Sequence, residues 1–148
     1  MIRRIIDLAE KIKQDYGTCD PCELCRCLGI TLLHADLPRR INGFYMETAG
    51  KQAVVISDSI KAPLDSACTA HELGHALLHK GVNAVFLTDS TNFVTGRYER
   101  EADLFAAALL INVEDIIQNG SSIERIAKIT GVPSYAVEQY MSLCVNCC

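Results

Sequence analysis

No stretch of this chain is apolar for long enough to cross a bilayer; runs of about 18 apolar residues are absent. Nor is the opening segment expected to act as a secretory leader. The opening segment MIRRIIDLAEKIKQDYG sets Ile2, Ile5, Ile6, Leu8, Ala9 and Ile12 among charges at helical spacing, and no long apolar segment or cleavage site follows. A cytoplasmic protein without a membrane partner is expected. Pooled basic residues are lacking as well. The net charge is −4 with Lys and Arg scattered, whereas phosphate backbones are held by clustered cations, so no direct nucleic-acid binding is expected. There is no internal repeat, low-complexity tract or linker. What is present is an ordinary globular composition, 49% hydrophobic and 22% charged over 148 residues, enough for one domain, 1–148, with a real core.

The pattern along the chain predicts an amphipathic helix over 2–15, ended by Gly17. Asp20-Pro21 reads as an N-cap followed by proline at the first helical position of a short helix reaching about Cys27. Three short segments rich in β-branched and aromatic residues follow, Ile30 to Ala35, Gly43 to Glu47 and Gln52 to Ser57, the last two joined by a turn at 48–51. A helix is expected from about Pro63 to Lys80, then a connection from Gly81 to Gly96, then a helix over Tyr98 to Ile111. Shorter helices are expected over 113–118, 122–130 and 134–143. The fold class is therefore α+β. A small three-stranded sheet packs on the helix over 63–80 and on the helix over 98–111, with a catalytic core over 1–112 and a helical, helix-turn-helix-like part over 113–148.

The chemistry concentrates in TAHELGHALLH, Thr69 to His79. Residues four apart share a helix face about 6 Å apart along the axis, so His71 and His75 can present nitrogens to one ion. Glu72, beside the first histidine, flanks that ion and is free to take a proton from a water the ion activates. Ala70, Leu73, Gly74, Ala76, Leu77 and Leu78 make the helix apolar nearly all round. Such a helix is buried, and buried His and Glu require partners, which a metal would supply. Catalytic zinc takes three protein ligands. His79 lies one further turn along, beyond comfortable reach. The later Gly and third His of metzincins are missing, since those offsets hold Leu78 and Gly81. RYEREADLFAAALL offers Glu99, Glu101 and Asp103; Glu99 and Asp103 share a face and Glu101 points elsewhere. We read Glu99 as the third ligand, Asp103 as the acceptor that orients a ligand histidine, and Glu72 as the base. His79 and Tyr98 are candidates for stabilising an oxyanion or supporting the ligands.

These residues resemble the ImmA/IrrE family of zinc metallopeptidases, a gluzincin-like group. The resemblance covers roughly 15–110. It is carried by YGTCDPCELCRCLGI, the GFY and VVIS strands, TAHELGHALLH and EREADLFAAALL. It implies a thermolysin-like metalloprotease core, with Zn2+ held by His71, His75 and Glu99, Glu72 catalytic and Asp103 supporting. One departure is that Leu109-Leu110 leads into Ile111-Asn112, where the family often has Met-Pro. The resemblance further implies an endopeptidase that cuts one partner protein, a helix-turn-helix repressor of a mobile element or phage. Recognition by strand addition along the GFY strand is a further expectation. The competing reading is a zinc-containing regulatory protein that binds its partner without cleaving it. Glu72 favours the enzyme, because structural zinc has no use for a free base.

Two features stand outside that assignment. Cys19, Cys22, Cys25 and Cys27 lie together, and Cys144, Cys147 and Cys148 end the sequence. Pairs at 19–22 and 144–147 have zinc-site spacing, and a redox-responsive tail is a further alternative. Yet Cys22 and Cys25 fall where the family usually has apolar core residues, so buried or frayed thiols are expected; Cys68 is read as packing. SIERIAKITGVPSYAVEQYM reads like a helix-turn-helix. Its second helix, Ser134 to Tyr140, carries no basic residue, which favours packing or docking to a partner over DNA reading.

Overall fold

A computed structural model of the chain describes residues 1–82 and 92–146. The first helix, α1 (Ile2–Tyr16), buries Ile5, Ile6, Ala9 and Ile12 and stops at Gly17, whose φ of 66° suits glycine and whose N–H donates to Lys13 O at 2.9 Å. The second, α2 (Pro21–Cys27), starts as its sequence demands, with Asp20 accepting the Cys22 N–H at 3.0 Å.

Three strands follow: β1 (Thr31–Ala35), β2 (Gly43–Thr48) and β3 (Lys51–Ser57). Their order is β1-β3-β2, with β3 parallel to β1 and antiparallel to β2. The β2–β3 turn places Ala49 and Gly50 at φ of 53° and 76°, the left-handed pair that a two-residue hairpin of native twist requires. As the central strand, β3 buries Val54, Val55, Ile56 and Ser57 in succession, the continuous run of a strand covered on both faces. On β2, Tyr45 is fully buried; its hydroxyl donates to Glu47 Oε2 at 2.9 Å and accepts from Gln52 Nε2 at 2.8 Å. The same Gln52 amide donates to Ala76 O at 2.9 Å, tying the sheet to the helix that follows.

That helix, α3 (Leu64–Leu78), is followed among the described residues by α4 (Asn92–Leu110), α5 (Val113–Asn119), α6 (Ile123–Thr130) and α7 (Ser134–Val145). The architecture is α+β, and no helix among the described residues is long and apolar enough to cross a membrane. One boundary differs by a full turn and a half from expectation: α4 begins at Asn92 rather than Tyr98. Gly96 punctuates the sequence pattern, but its intrinsic helix cost of about 1 kcal/mol is small beside the packing of the long helix. The middle of the connection expected over Gly81 to Gly96 lies outside the described residues.

Leu104, Phe105 and Leu109 of α4 meet Ile5 and Ala9 of α1, Leu73 of α3, and Ala136, Val137 and Tyr140 of α7 in one hydrophobic cluster. Phe105 alone, wholly buried, contributes about 1.5–3 kcal/mol on area grounds. At the end of α4, Lys13 donates to Ala108 O at 2.8 Å, a cation at the negative pole of the helix.

Candidate metal centre

The site exists because α3 and α4 approach unusually closely. A methyl group at Gly74 would lie 3.2 Å from Ala102 Cα and 3.2 Å from the Phe105 ring. Glycine at position 74 leaves room for the Ala102 backbone and the Phe105 ring at that separation. The close approach sets the His71–His75 face of one helix against the Glu99–Asp103 face of the other.

Three groups converge there. His71 Nε2 and His75 Nε2 are 3.2 Å apart, and each is 3.0 Å from an oxygen of Glu99. Ligands at 2.0–2.1 Å from a tetrahedral zinc ion are separated by about 3.3 Å, so the three atoms already stand near three corners of that tetrahedron. Among the described residues this is the one His, Cys, Asp or Glu cluster spaced to hold a metal ion. A second observation points the same way. Glu72 is 6% exposed, and its Oε2 is buried without a hydrogen-bond partner, the sole such side-chain atom among the described residues. An orphan carboxylate oxygen in a protein interior is costly unless something polar meets it. Burial raises the Glu72 carboxyl above its ordinary range, against the pull of His71 and His75. The donor set of two imidazoles and one carboxylate, with a further acid beside it, fits zinc and its attendant water.

Both histidines are held from behind. His71 Nδ1 is 2.7 Å from Asp103 Oδ1. His75 Nδ1 is 2.9 Å from His79 Nδ1, and His79 Nε2 is 2.8 Å from Glu101 Oε2. Arg97 Nε donates to the other Glu101 oxygen at 2.9 Å. If each acid takes an N–H, the protons sit on His71 Nδ1, His75 Nδ1 and His79 Nε2. Both converging Nε2 atoms then keep bare lone pairs, the tautomers a ligand needs. His79 agrees with this wiring, whereas in the metal-free chain His71 and Glu99 depart from it, because protons on the converging nitrogens then bridge to the Glu99 carboxylate. Burial lowers His79, with Glu101 opposing. Burial opposes ionisation of Glu99, yet hydrogen bonds from His71 and His75 hold it well below the ordinary carboxylate range. In the metal-free chain burial also pulls His71 down, but Asp103 and Glu99 outweigh it and raise the imidazole to about 10.

His79, a candidate for oxyanion stabilisation, therefore stands behind His75 with both nitrogens engaged. Tyr98 packs against it with the rings tilted, 4.3 Å between ring centres, on that same side. Two partners escaped the sequence. Glu101, expected to point away from the ion, does so and meets His79 instead. Tyr135 of α7 hydrogen-bonds through its hydroxyl to Asp103 Oδ2. The i+4 continuation from His75 to His79 was the available signal for the first; nothing local announced the second.

A cleft of about 360 Å3 opens beside His71, Glu72 and Asp103, walled by Arg40, Gly43, Leu64, Cys68, Val132 and Pro133. Gly43 starts the edge strand β2. A methyl group there would meet Val55 O at 2.8 Å and Cys68 Sγ at 2.9 Å, so the backbone passes directly over α3. Among the described residues no cysteine takes part in the centre. Cys25 is fully buried, Cys68 half-buried, and burial first of all pushes both thiols up to about 12. Cys19 and Cys27 are exposed, and no second metal cluster forms among the described residues. Cys147 and Cys148 lie outside them.

The model of the Peptidase M78 family, the IrrE N-terminal-like domain, matches residues 25–142. That match includes α5, α6 and most of α7, which the resemblance seen in the sequence left out. The chain is 30% identical over 128 residues to "Uncharacterized immunity region protein 2" of Bacillus phage phi105, covering 84% of this chain and 81% of the relative. It is 26% identical over 138 residues to "Metallopeptidase ImmA" of Bacillus subtilis (strain 168), covering 90% and 81%.

Proposed function

The chain belongs to the Peptidase M78 family of IrrE N-terminal-like domains, and from that membership we propose that it is a cytoplasmic zinc-dependent endopeptidase cutting one partner protein. The observation that carries the reading is the convergence of His71, His75 and Glu99 beside the buried, unpartnered Glu72 Oε2. His71, His75 and Glu99 are the residues that would hold zinc. Bound there, zinc would polarise a water molecule and the scissile carbonyl and bring the water's pKa toward neutrality.

The chain's own residues do the rest. Glu72 Oε2 accepts the proton of the attacking water as its oxygen bonds to the carbonyl carbon. It returns that proton to the amine nitrogen as the C–N bond breaks, so that atoms and charge balance. Asp103 and the His79–Glu101 pair hold the two imidazoles in orientation and tautomer. The substrate lies in the cleft beside Glu72, its backbone pairing with the open edge of β2. One relative is named for a phage immunity region and another as a metallopeptidase. Taken together, they support a regulator of a mobile element as the substrate, in the first instance a helix-turn-helix repressor.

The test combines elemental analysis with a cleavage assay on a purified repressor. Wild type is expected to carry about one zinc per chain and to cut the repressor. Glu99→Gln should lose the metal. Glu72→Gln should keep the metal and lose about 10²–10⁴-fold in cleavage rate. Well-folded wild type without metal would end the peptidase reading; unchanged cleavage by Glu72→Gln would end the assignment of the base.

A further inference from the structure

We propose that Tyr135 is a positioning residue of the metal centre, its hydroxyl fixing the Asp103 carboxylate that orients His71. The inference rests on the reading of His71 as a metal ligand. The terminal torsion of an aspartate is broad and nearly two-fold, so a carboxylate held by one oxygen can swing about that contact. Asp103 is held by both. Oδ1 meets His71 Nδ1 at 2.7 Å, and Oδ2 accepts the Tyr135 O–H. The carboxylate plane is thereby set, and with it the plane of the His71 ring.

The tyrosine is delivered by rigid docking. Gly131, between α6 and α7, has φ of +78°, and a methyl group there would sit 3.0 Å from both Ala67 Cβ and Pro63 O at the start of α3. That turn is seated on the metal-bearing helix with no room to spare. Val132, Ala136, Val137 and Tyr140 are buried on one face of α7 and its lead-in, while Tyr135, 45% exposed, projects on the other toward Asp103. An exposed tyrosine whose hydroxyl were free would have no reason to be aimed at a half-buried acid. A helix pair with the pattern of a DNA reader is in this way built into the catalytic half.

The test uses cobalt(II) as the probe on the full chain, with affinity measured by competition against a chromophoric chelator and geometry by the visible absorption band. Wild type, Tyr135→Phe, Asp103→Ala and the double variant are compared, and metal-free melting temperatures are recorded alongside. Tyr135→Phe should weaken cobalt binding about tenfold, the low end of what loss of an outer support costs. It should also alter the absorption band while leaving the metal-free melting temperature near wild type. Because the hydroxyl acts through Asp103, the double variant should bind no more weakly than Asp103→Ala alone. Wild-type affinity and spectrum in Tyr135→Phe, or additive losses in the double variant, would overturn the inference and leave the metal reading standing. A wild type that takes up no cobalt would overturn both.

Discussion

Replacing Gly74 by alanine tests whether helix spacing sets the metal centre. The added methyl would lie 3.2 Å from Ala102 Cα, 3.2 Å from Phe105 Cδ1 and 3.3 Å from Ala102 O. Carbon atoms rest comfortably at about 3.5–4.0 Å, so α4 must retreat locally by roughly 0.3–0.5 Å. Two of the three neighbours are backbone atoms inside a helix, and the third belongs to a wholly buried ring; none yields as a flexible side-chain tip would. Glu99 lies less than one turn from Ala102, so the retreat reaches it. Zinc ligands stand about 3.3 Å apart, and adding the retreat to that separation lengthens the distance from Glu99 to the ion by roughly 0.2–0.3 Å, at or past the margin a metal site tolerates. A loss of about tenfold or more in zinc affinity is expected. The stability cost is partly offset, because alanine favours the helix by about 1 kcal/mol while overpacking costs about 1–3 kcal/mol. The metal-free variant should therefore be up to about 2 kcal/mol less stable. Zinc competition titrations and urea unfolding of the metal-free protein measure the two effects separately. A variant more stable than wild type with undiminished affinity would refute the idea that the Gly74–Ala102 contact sets the site.

Two further outcomes follow from the charges and thiols. In the metal-free protein His71 is raised from its ordinary 6.5 to about 10, burial being outweighed by Asp103 and Glu99. Its stabilising contribution is complete below pH 6.5 and is lost as pH climbs toward 10. The metal-free melting temperature should fall over that interval, and the zinc-loaded protein should lack this component of the fall; a metal-free profile that is flat there would contradict the assignment. Thiol labelling of the reduced, folded protein should modify exposed Cys19 and Cys27 within the first fast phase. Cys25 and Cys68, both pushed up to about 12 chiefly by burial, should react only on unfolding; fast labelling of Cys68 would show that the cleft wall opens.

Much of the candidate centre was legible because its proposed ligands obey local geometry. His71 and His75 are four apart on one helix, Glu99 and Asp103 four apart on another, and each pair needs only a helix to share a face. The strands were legible for a similar reason. β3 carries the unbroken Ala-Val-Val-Ile run of a central strand, and Gly50 announces the hairpin. Which partner each face meets is a different kind of fact. His79 was judged by its distance from the ion, one turn too far along the axis. Yet the span it has to cover is only the 2.9 Å to the back nitrogen of His75, and a ligand ladder that overshoots the metal is well placed to support the rung before it. Glu101 is offset by two residues from Glu99, which turns it away from the ion and toward that same His79.

Tyr135 lies 32 residues beyond Asp103, in a segment whose apolar positions fit a helix-turn-helix whether or not DNA is read. Those positions serve a core in either use. Only the outward face separates the two, and here it carries a tyrosine aimed at an acid where a DNA reader would carry cations. The proposed ligands are thus written in short-range spacing, and their support in contacts made only when α7 docks. A substitution far along the chain can on this account weaken the centre without touching any residue of the His-Glu-x-x-His motif.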